Sequence, residues 1–137
     1  MPLVIFEGIM NSEFYQEILA TSLIPFIQEQ FPESHRLMQD NDPKHVSKST
    51  VNWMQERGIN WWKTPPESPD LNPIENVWAA MKMYLRKTIK PTNKQELIAG
   101  ISEFWSKLTV DTCNRFINHV DRVIPVVIAR FGDASGY

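Results

Sequence analysis

Three short runs of apolar and aromatic residues, each followed by a stretch of helical period, limit what this chain can fold into. Leu3-Val4-Ile5-Phe6 is a block of four large apolar side chains ended by Gly8. Arg36-Leu37-Met38-Gln39 lies between Ser34-His35 and the turn-forming Asp40-Asn41-Asp42-Pro43. Ile59-Asn60-Trp61-Trp62 follows Gly58. Short runs bounded by turn formers read as strands. Between the first two, Phe14, Ile18, Leu19, Leu23, Phe26 and Ile27 recur at three- and four-residue steps, which marks one apolar face of a helix. Asn11 or Ser12 can cap that helix, Pro25 should kink or split it, and Pro32 closes it. Between the second and third runs, Val51, Trp53 and Met54 suit a helix that begins near Ser47 and stops at Gly58. Strands that alternate with helices imply an α/β fold with a largely parallel sheet and helices on its faces.

The second half reads as helical. Thr64-Pro65-Pro66-Glu67-Ser68-Pro69 contains three prolines and is expected to be a loop. A helix should start at Asn72-Pro73 and run to about Lys87, with Ile74, Val77, Trp78, Met81 and Leu85 on its apolar face. Two more helical stretches follow, at 93–107 and 109–131, with Pro125 breaking or bending the latter. Residues 1–131 then form one partial domain, and 132–137 form a tail. Three strands are few for an independent sheet. Nothing precedes the strand at 3–6 to pair with its far edge, so the pattern looks like the later part of a larger α/β domain. An open edge of this kind favours self-association of the isolated chain. Trp53, Trp61, Trp62 and Trp78 are expected mainly in the core, with base stacking as the other use of such rings.

Composition excludes several classes. The 137 residues suffice for one ordinary domain without a disulfide framework, and Cys113 is the only cysteine. A reducing compartment is the default for such a chain. The N-terminus lacks a basic segment and is acidic by Glu7, so secretion is not expected. The longest apolar run, 123–129, is too short to span a bilayer, so no membrane association is expected. A net charge of −2 argues against a wholly basic nucleic-acid module. The charge is nonetheless uneven. Residues 1–35 hold five glutamates and no Lys or Arg, whereas Lys82, Arg86, Lys87, Lys90 and Lys94 lie in an interval with no acid between Glu75 and Glu96. That strip is either a solvated helix face or a track for a polyanion backbone.

Two carboxylates occupy positions where chemistry is usually built. Asp40 lies at the C-terminal end of a predicted strand, the side on which open α/β sheets form their sites. Glu75 falls in the first turn of the helix after the proline loop. Such a pair can hold Mg²⁺, which prefers hard oxygen ligands. Two Mg²⁺ ions about 4 Å apart can clamp the attacking and leaving oxygens of a phosphodiester. Structural uses stand beside these. Asp40-Asn41-Asp42-Pro43 is a good turn by itself, and Asn72-Pro73-Ile74-Glu75 is a helix start with a capping-box acid. The two uses are compatible, because a helix N-terminus keeps a carboxylate ionised.

The segment Gln39-Asp40-Asn41-Asp42-Pro43-Lys44-His45, followed by Ser68-Pro69-Asp70-Leu71-Asn72-Pro73-Ile74-Glu75-Asn76-Val77-Trp78, resembles the catalytic core of the Tc1/mariner transposases. Thirty-four residues (41 to 74) separate the two acids, the interval of the DD34E group. Gly8-Ile9-Met10-Asn11, followed by Tyr15 and Ile18-Leu19, is similar to the segment after the third strand of that fold. The resemblance implies an N-terminally truncated RNase H-like fold with three strands, helices on the faces and a helical C-terminus. It makes Asp40 the second acid of a triad and Glu75 the third, both ligands of Mg²⁺ or Mn²⁺ in a two-metal site of the intact domain. It implies that water attacks the phosphodiester at a transposon end and that the freed 3′-hydroxyl then attacks target DNA. The partners are then DNA and a second copy of the chain, with no small-molecule substrate, in the nucleus of a eukaryote or otherwise inside the cell.

Asn41, Asp42, Lys44 and His45 match the family motif and are carried as site neighbours, not ligands. His45 has a structural turn role as its alternative, Lys44 either screens phosphate or is solvated, and Asp70 is read as a loop cap in preference to a metal ligand. The resemblance also strengthens the DNA reading of the strip at 82–94. In one respect the chain departs from the family: none of the 39 residues before Asp40 is an aspartate that could serve as the first acid. The chain by itself is therefore expected not to cleave DNA. The alternative is a transposase-derived remnant that binds DNA or a partner chain without chemistry.

Overall fold

The structure is a computed structural model that describes residues 3–64 and 71–132. They fall into two compact units, Met1–Pro66 and Glu67–Tyr137.

In the first unit, helix α1 (Ser12–Ile18) starts where Asn11 Oδ1 accepts the Phe14 N–H at 2.9 Å. It continues through a π-helical turn (Leu19–Leu23) into α2 (Ile24–Gln30). The Ile24 N–H reaches back five residues to the Leu19 carbonyl. The wide turn therefore falls just before Pro25, which has no N–H to donate and whose ring crowds the carbonyl four residues back. Pro25 widens the helix without splitting it. The helix ends at Gln30, two residues before Pro32.

Strand β1 (Leu37–Gln39) pairs in parallel with β2 (Trp61–Lys63), with Leu37 opposite Trp61 and Gln39 opposite Lys63. Parallel strands need a crossover, supplied here by α3 (Pro43–Val46) and α4 (Lys48–Glu56). Helix α4 closes in a Schellman motif. The Gly58 N–H bonds the Gln55 carbonyl, and the Ile59 N–H bonds the Met54 carbonyl at 2.9 Å. Gly58 takes φ +65°, a left-handed conformation that glycine adopts without a Cβ penalty. The core of this unit is Leu19, Leu23, Met54 and Ile59, covered by Tyr15, Ile24, Ile27, Leu37, Trp53 and Trp61.

Two sequence expectations change here. Leu3-Val4-Ile5-Phe6 is not a strand, so among the described residues the sheet has two strands and not three. A strand exists only with a ladder partner, and among the described residues none runs beside this segment. Val4, Ile5 and Phe6 are exposed, and Phe6 packs edge-on against Phe14 with ring centroids 5.3 Å apart. Trp62 also faces outward, 56% exposed, with the Arg36 guanidinium over its ring. Trp53 and Trp61, by contrast, pack on the core.

In the second unit, α5 (Pro73–Tyr84) runs into a π-helical turn (Leu85–Ile89) that stops at Lys90, which takes φ +51°. Helix α6 (Lys94–Ser106) is capped by Asn93 and α7 (Val110–Ala129) by Thr109, whose Oγ1 accepts the Thr112 N–H. Both pack on α5. Val77, Leu85 and Val123 are buried, and Trp78 stacks on Trp105 at 6.1 Å. Gly100 lets α6 lie close to the end of the preceding helix: a Cβ there would stand 2.8 Å from Leu85 Cδ2 and 2.9 Å from Ile89 Cγ2. Pro125 lies inside α7 without breaking it. Near the helix end it removes one backbone bond, and the neighbouring turns hold. Of the proline loop expected at 64–69 only Thr64 is described; residues 65–69 lie outside the described residues together with Asp70 and the tail from 133.

Candidate active site

Asp40 follows the last residue of β1, at the C-terminal end of a parallel strand. Its side chain is 63% exposed, and Oδ1 holds two contacts. The Asp42 N–H donates to Oδ1 at 3.2 Å, an Asx-type turn, and His45 Nδ1 lies 2.5 Å from the same oxygen. Both contacts use Oδ1, and among the described residues Oδ2 has no partner and is left for another ligand. A carboxylate oxygen is a donor suited to Mg²⁺ or Mn²⁺. Among the described residues of this unit, no third acid, cysteine or histidine joins Asp40 and His45 as a metal-binding group.

The neighbours build the turn that presents Asp40. Asn41 Nδ2 donates to the Thr64 carbonyl at 3.0 Å, which ties the turn to the chain leaving β2. Asp42 caps α3 by accepting the Lys44 N–H, and its Oδ2 pairs with Lys44 Nζ at 2.6 Å. The Lys44 ammonium and N–H hold the Asp42 carboxyl below its usual range. Below α3, the Thr50 hydroxyl donates to the Lys44 carbonyl at 2.8 Å, and Ser47 joins Ser12 of α1 to Thr50 of α4. Asn41, Asp42, Lys44 and His45 thus come together with Asp40 in one turn of the first unit.

Sequence reasoning assigned no site role to Gln39 and Tyr15. Gln39 is buried, and its Oε1 accepts the Tyr15 hydroxyl at 2.6 Å while its Nε2 donates to the His45 carbonyl at 3.3 Å. The Tyr15 ring lies on the His45 ring with centroids 4.2 Å apart. Burial, with the nearby Asp40 charge adding to it, pushes the Tyr15 phenol above its usual range. A polar residue at an inward-facing strand position was the available signal for Gln39. Tyr15 lies beside the stripe that begins at Phe14, and no local signal marks it.

Glu75 stands in the first turn of α5, exposed, with its N–H bonded to the Asn72 carbonyl at 3.0 Å. The Asn72 side chain accepts the Ile74 N–H, so the cap acts one residue earlier than a capping box would place it. Lys82 on α5, Arg86 and Lys87 in the π turn, Lys90 at its cap and Lys94 opening α6 are all exposed. These residues and Glu75 belong to the second unit.

The DDE superfamily endonuclease model matches residues 1–98. The chain belongs to that superfamily. Within it the chain groups with the Tc1/mariner transposases. It is 32% identical over 136 residues to the Tcb1 transposase of Caenorhabditis briggsae and 30% identical over 136 residues to the Tc1 transposase of Caenorhabditis elegans. Each alignment covers 99% of this chain and 48% of the relative, so this DDE chain spans about half the length of those transposases. Its fold is similar to the Mos1 transposase catalytic domain solved with raltegravir and Mg, with a TM-score of 0.76 at 21% identity over 92% of this chain and 65% of that one. The Mos1 structure with Mn gives 0.75 at 22% identity. The fold is RNase H-like. No helix among the described residues of this DDE chain is long and apolar enough to cross a membrane.

Proposed function

We propose that this chain is a catalytic-core segment of a Tc1/mariner transposase, in which Asp40 and Glu75 supply carboxylate oxygens to Mg²⁺ or Mn²⁺ for DNA cleavage and strand transfer. The observation that carries the reading is an exposed Asp40 at the end of a parallel strand, with Oδ2 uncommitted among the described residues. The motif interval to Glu75 and the family membership support it. A bound divalent cation would supply Lewis acidity at the phosphodiester and favour ionisation of the attacking water or 3′-hydroxyl.

The protein's own part is positioning. The Asp42 N–H and His45 hold Asp40 Oδ1 in place. Glu75 stands exposed in the first turn of α5. The exposed strip of Lys82, Arg86, Lys87, Lys90 and Lys94 offers phosphate contacts whose strength falls with salt. The partners on this reading are transposon-end and target DNA and a second copy of the chain, and the compartment is the nucleus in a eukaryotic cell.

With no aspartate among residues 1–39, this chain supplies two of the three expected acids, which favours binding without turnover when it acts alone. The test is Mn²⁺ titration followed by electron paramagnetic resonance, paired with nicking of a supercoiled plasmid carrying Tc1-type terminal repeats. The chain should bind Mn²⁺ weakly, lose affinity in Asp40→Asn and in Glu75→Gln, and bind DNA without nicking it. Mn²⁺ binding indifferent to both substitutions would remove the metal assignment. Nicking abolished by Glu75→Gln would make the chain an enzyme by itself.

A further inference from the structure

An amide at Gln39 is out of place by patterning alone. The alternation of β1 turns residue 39 inward, 7% exposed, where an apolar side chain would ordinarily sit. Burying an amide is costly unless its hydrogen bonds are met. Here they are met at both ends, by the Tyr15 hydroxyl and by the His45 carbonyl, while the Gln39 carbonyl accepts from the Thr64 hydroxyl at 3.0 Å. Among the described residues no buried side-chain nitrogen or oxygen lacks a partner. Gln39 and its partner Tyr15 both touch His45. Gln39 holds its backbone, Tyr15 covers its ring, and its Nδ1 meets Asp40 Oδ1.

We infer that Gln39 and Tyr15 are positioning residues for Asp40, acting through His45 to fix the carboxylate so that Oδ2 is presented to a cation. The inference rests on Asp40 as a metal ligand and adds the residues that set its geometry. With its ring and its carbonyl both held, His45 cannot follow a rotation of the carboxylate, so Oδ1 stays committed to the turn. Outer partners of metal ligands act in this way, and losing one typically costs 10- to 100-fold in metal affinity. A network that served packing alone would leave the Asp40–His45 pair and the cation affinity untouched when replaced by an apolar side chain of similar volume.

The experiment uses the full 137-residue chain as wild type, Gln39→Met, Tyr15→Phe and Asp40→Asn. Two quantities are read: the nitrogen-15 and proton resonances of the His45 imidazole, and the Mn²⁺ dissociation constant by electron paramagnetic resonance. Gln39→Met should shift the His45 Nδ1 resonance and raise the dissociation constant about tenfold or more, with a melting temperature close to wild type. Tyr15→Phe keeps the ring on His45 and should move both quantities in the same direction by less; it decides the matter if Gln39→Met does not fold. Folded variants that leave the His45 resonance and the Mn²⁺ affinity unchanged overturn the inference. If Asp40→Asn binds Mn²⁺ as well as wild type, or wild type binds none, the metal reading fails separately. The positioning claim then stands if the His45 resonance moves in Gln39→Met and falls if it does not.

Discussion

The two units are held together by different means. In the first, side chains far apart in sequence bond across elements: Ser12 to Ser47, Gln16 to Ser49, Tyr15 to Gln39 and Asn41 to Thr64. In the second, stability leans on buried Val77, Leu85 and Val123 and on the ring pairs Trp78–Trp105 and Tyr84–Phe104, while the bond from the Tyr84 hydroxyl to Glu103 lies on the exposed surface. Directional bonds fix angles, whereas apolar contact fixes distance. A turn that must hold one carboxylate oxygen and release the other needs the first kind. A body that carries an exposed acid and a row of cations can rest mainly on the second.

The contrast can be broken most strongly at Met54, which is fully buried in the apolar centre beneath the polar turn. Met54→Ala should cost about 3 kcal/mol, read as a lower urea midpoint. A cost under about 1 kcal/mol would mean that the hydrogen-bond network and not the core carries the first unit. The corresponding strike on the second unit is Gly100→Ala. Helix propensity alone predicts a gain of about 1 kcal/mol. The Cβ would meet Leu85 and Ile89 below 3 Å, so overpacking should reverse the sign, to a loss of about 2 kcal/mol.

Alkali should act on the first unit through Tyr15. Its folded-state pKa is raised above the ordinary 10.0 by burial, so the unfolded chain releases that proton first. The stabilising contribution is intact below pH 10 and declines above it, by up to about 1.4 kcal/mol per pH unit. Tyr15→Phe should flatten that part of the alkaline limb in a denaturant series. Acid should act on the second unit through Glu103, whose carboxyl Lys107 and then Tyr84 hold below the ordinary 4.5. A lowered carboxyl gives stability above its unfolded pKa that is lost as pH falls through the folded one. The group is exposed, so Glu103→Gln should change the acid limb only slightly.

Much of the fold is visible from local chemistry. The caps at Asn11, Ser47 and Asn72, the stop at Gly58 and the stripe of Leu19 and Leu23 all depend on residues within one or two turns, and all appear where the sequence puts them. The misreadings share a cause in nonlocal structure. Leu3-Val4-Ile5-Phe6 has strand composition, but a strand needs a neighbour. The π turns before Pro25 and at 85–89 leave no mark in a period count, because one wide turn shifts the apolar stripe by a fraction of its width. The Asp40 turn was legible as a motif. Its support by Gln39 and Tyr15 was not, because the Tyr15–Gln39 bond spans 24 residues of sequence.

Leu37 and Trp61 run in the same direction across their ladder, so no hairpin can nucleate it. The long loop between them must close first, at an entropic cost that slows assembly. The segment carrying α3 and α4 has to fold back before the rungs can form. In refolding, the turn after β1 should therefore mature late, and pulse-labelled amides of 37 and 39 should be among the last to gain protection. A chain caught before that step would own its helices and still lack a fixed Asp40.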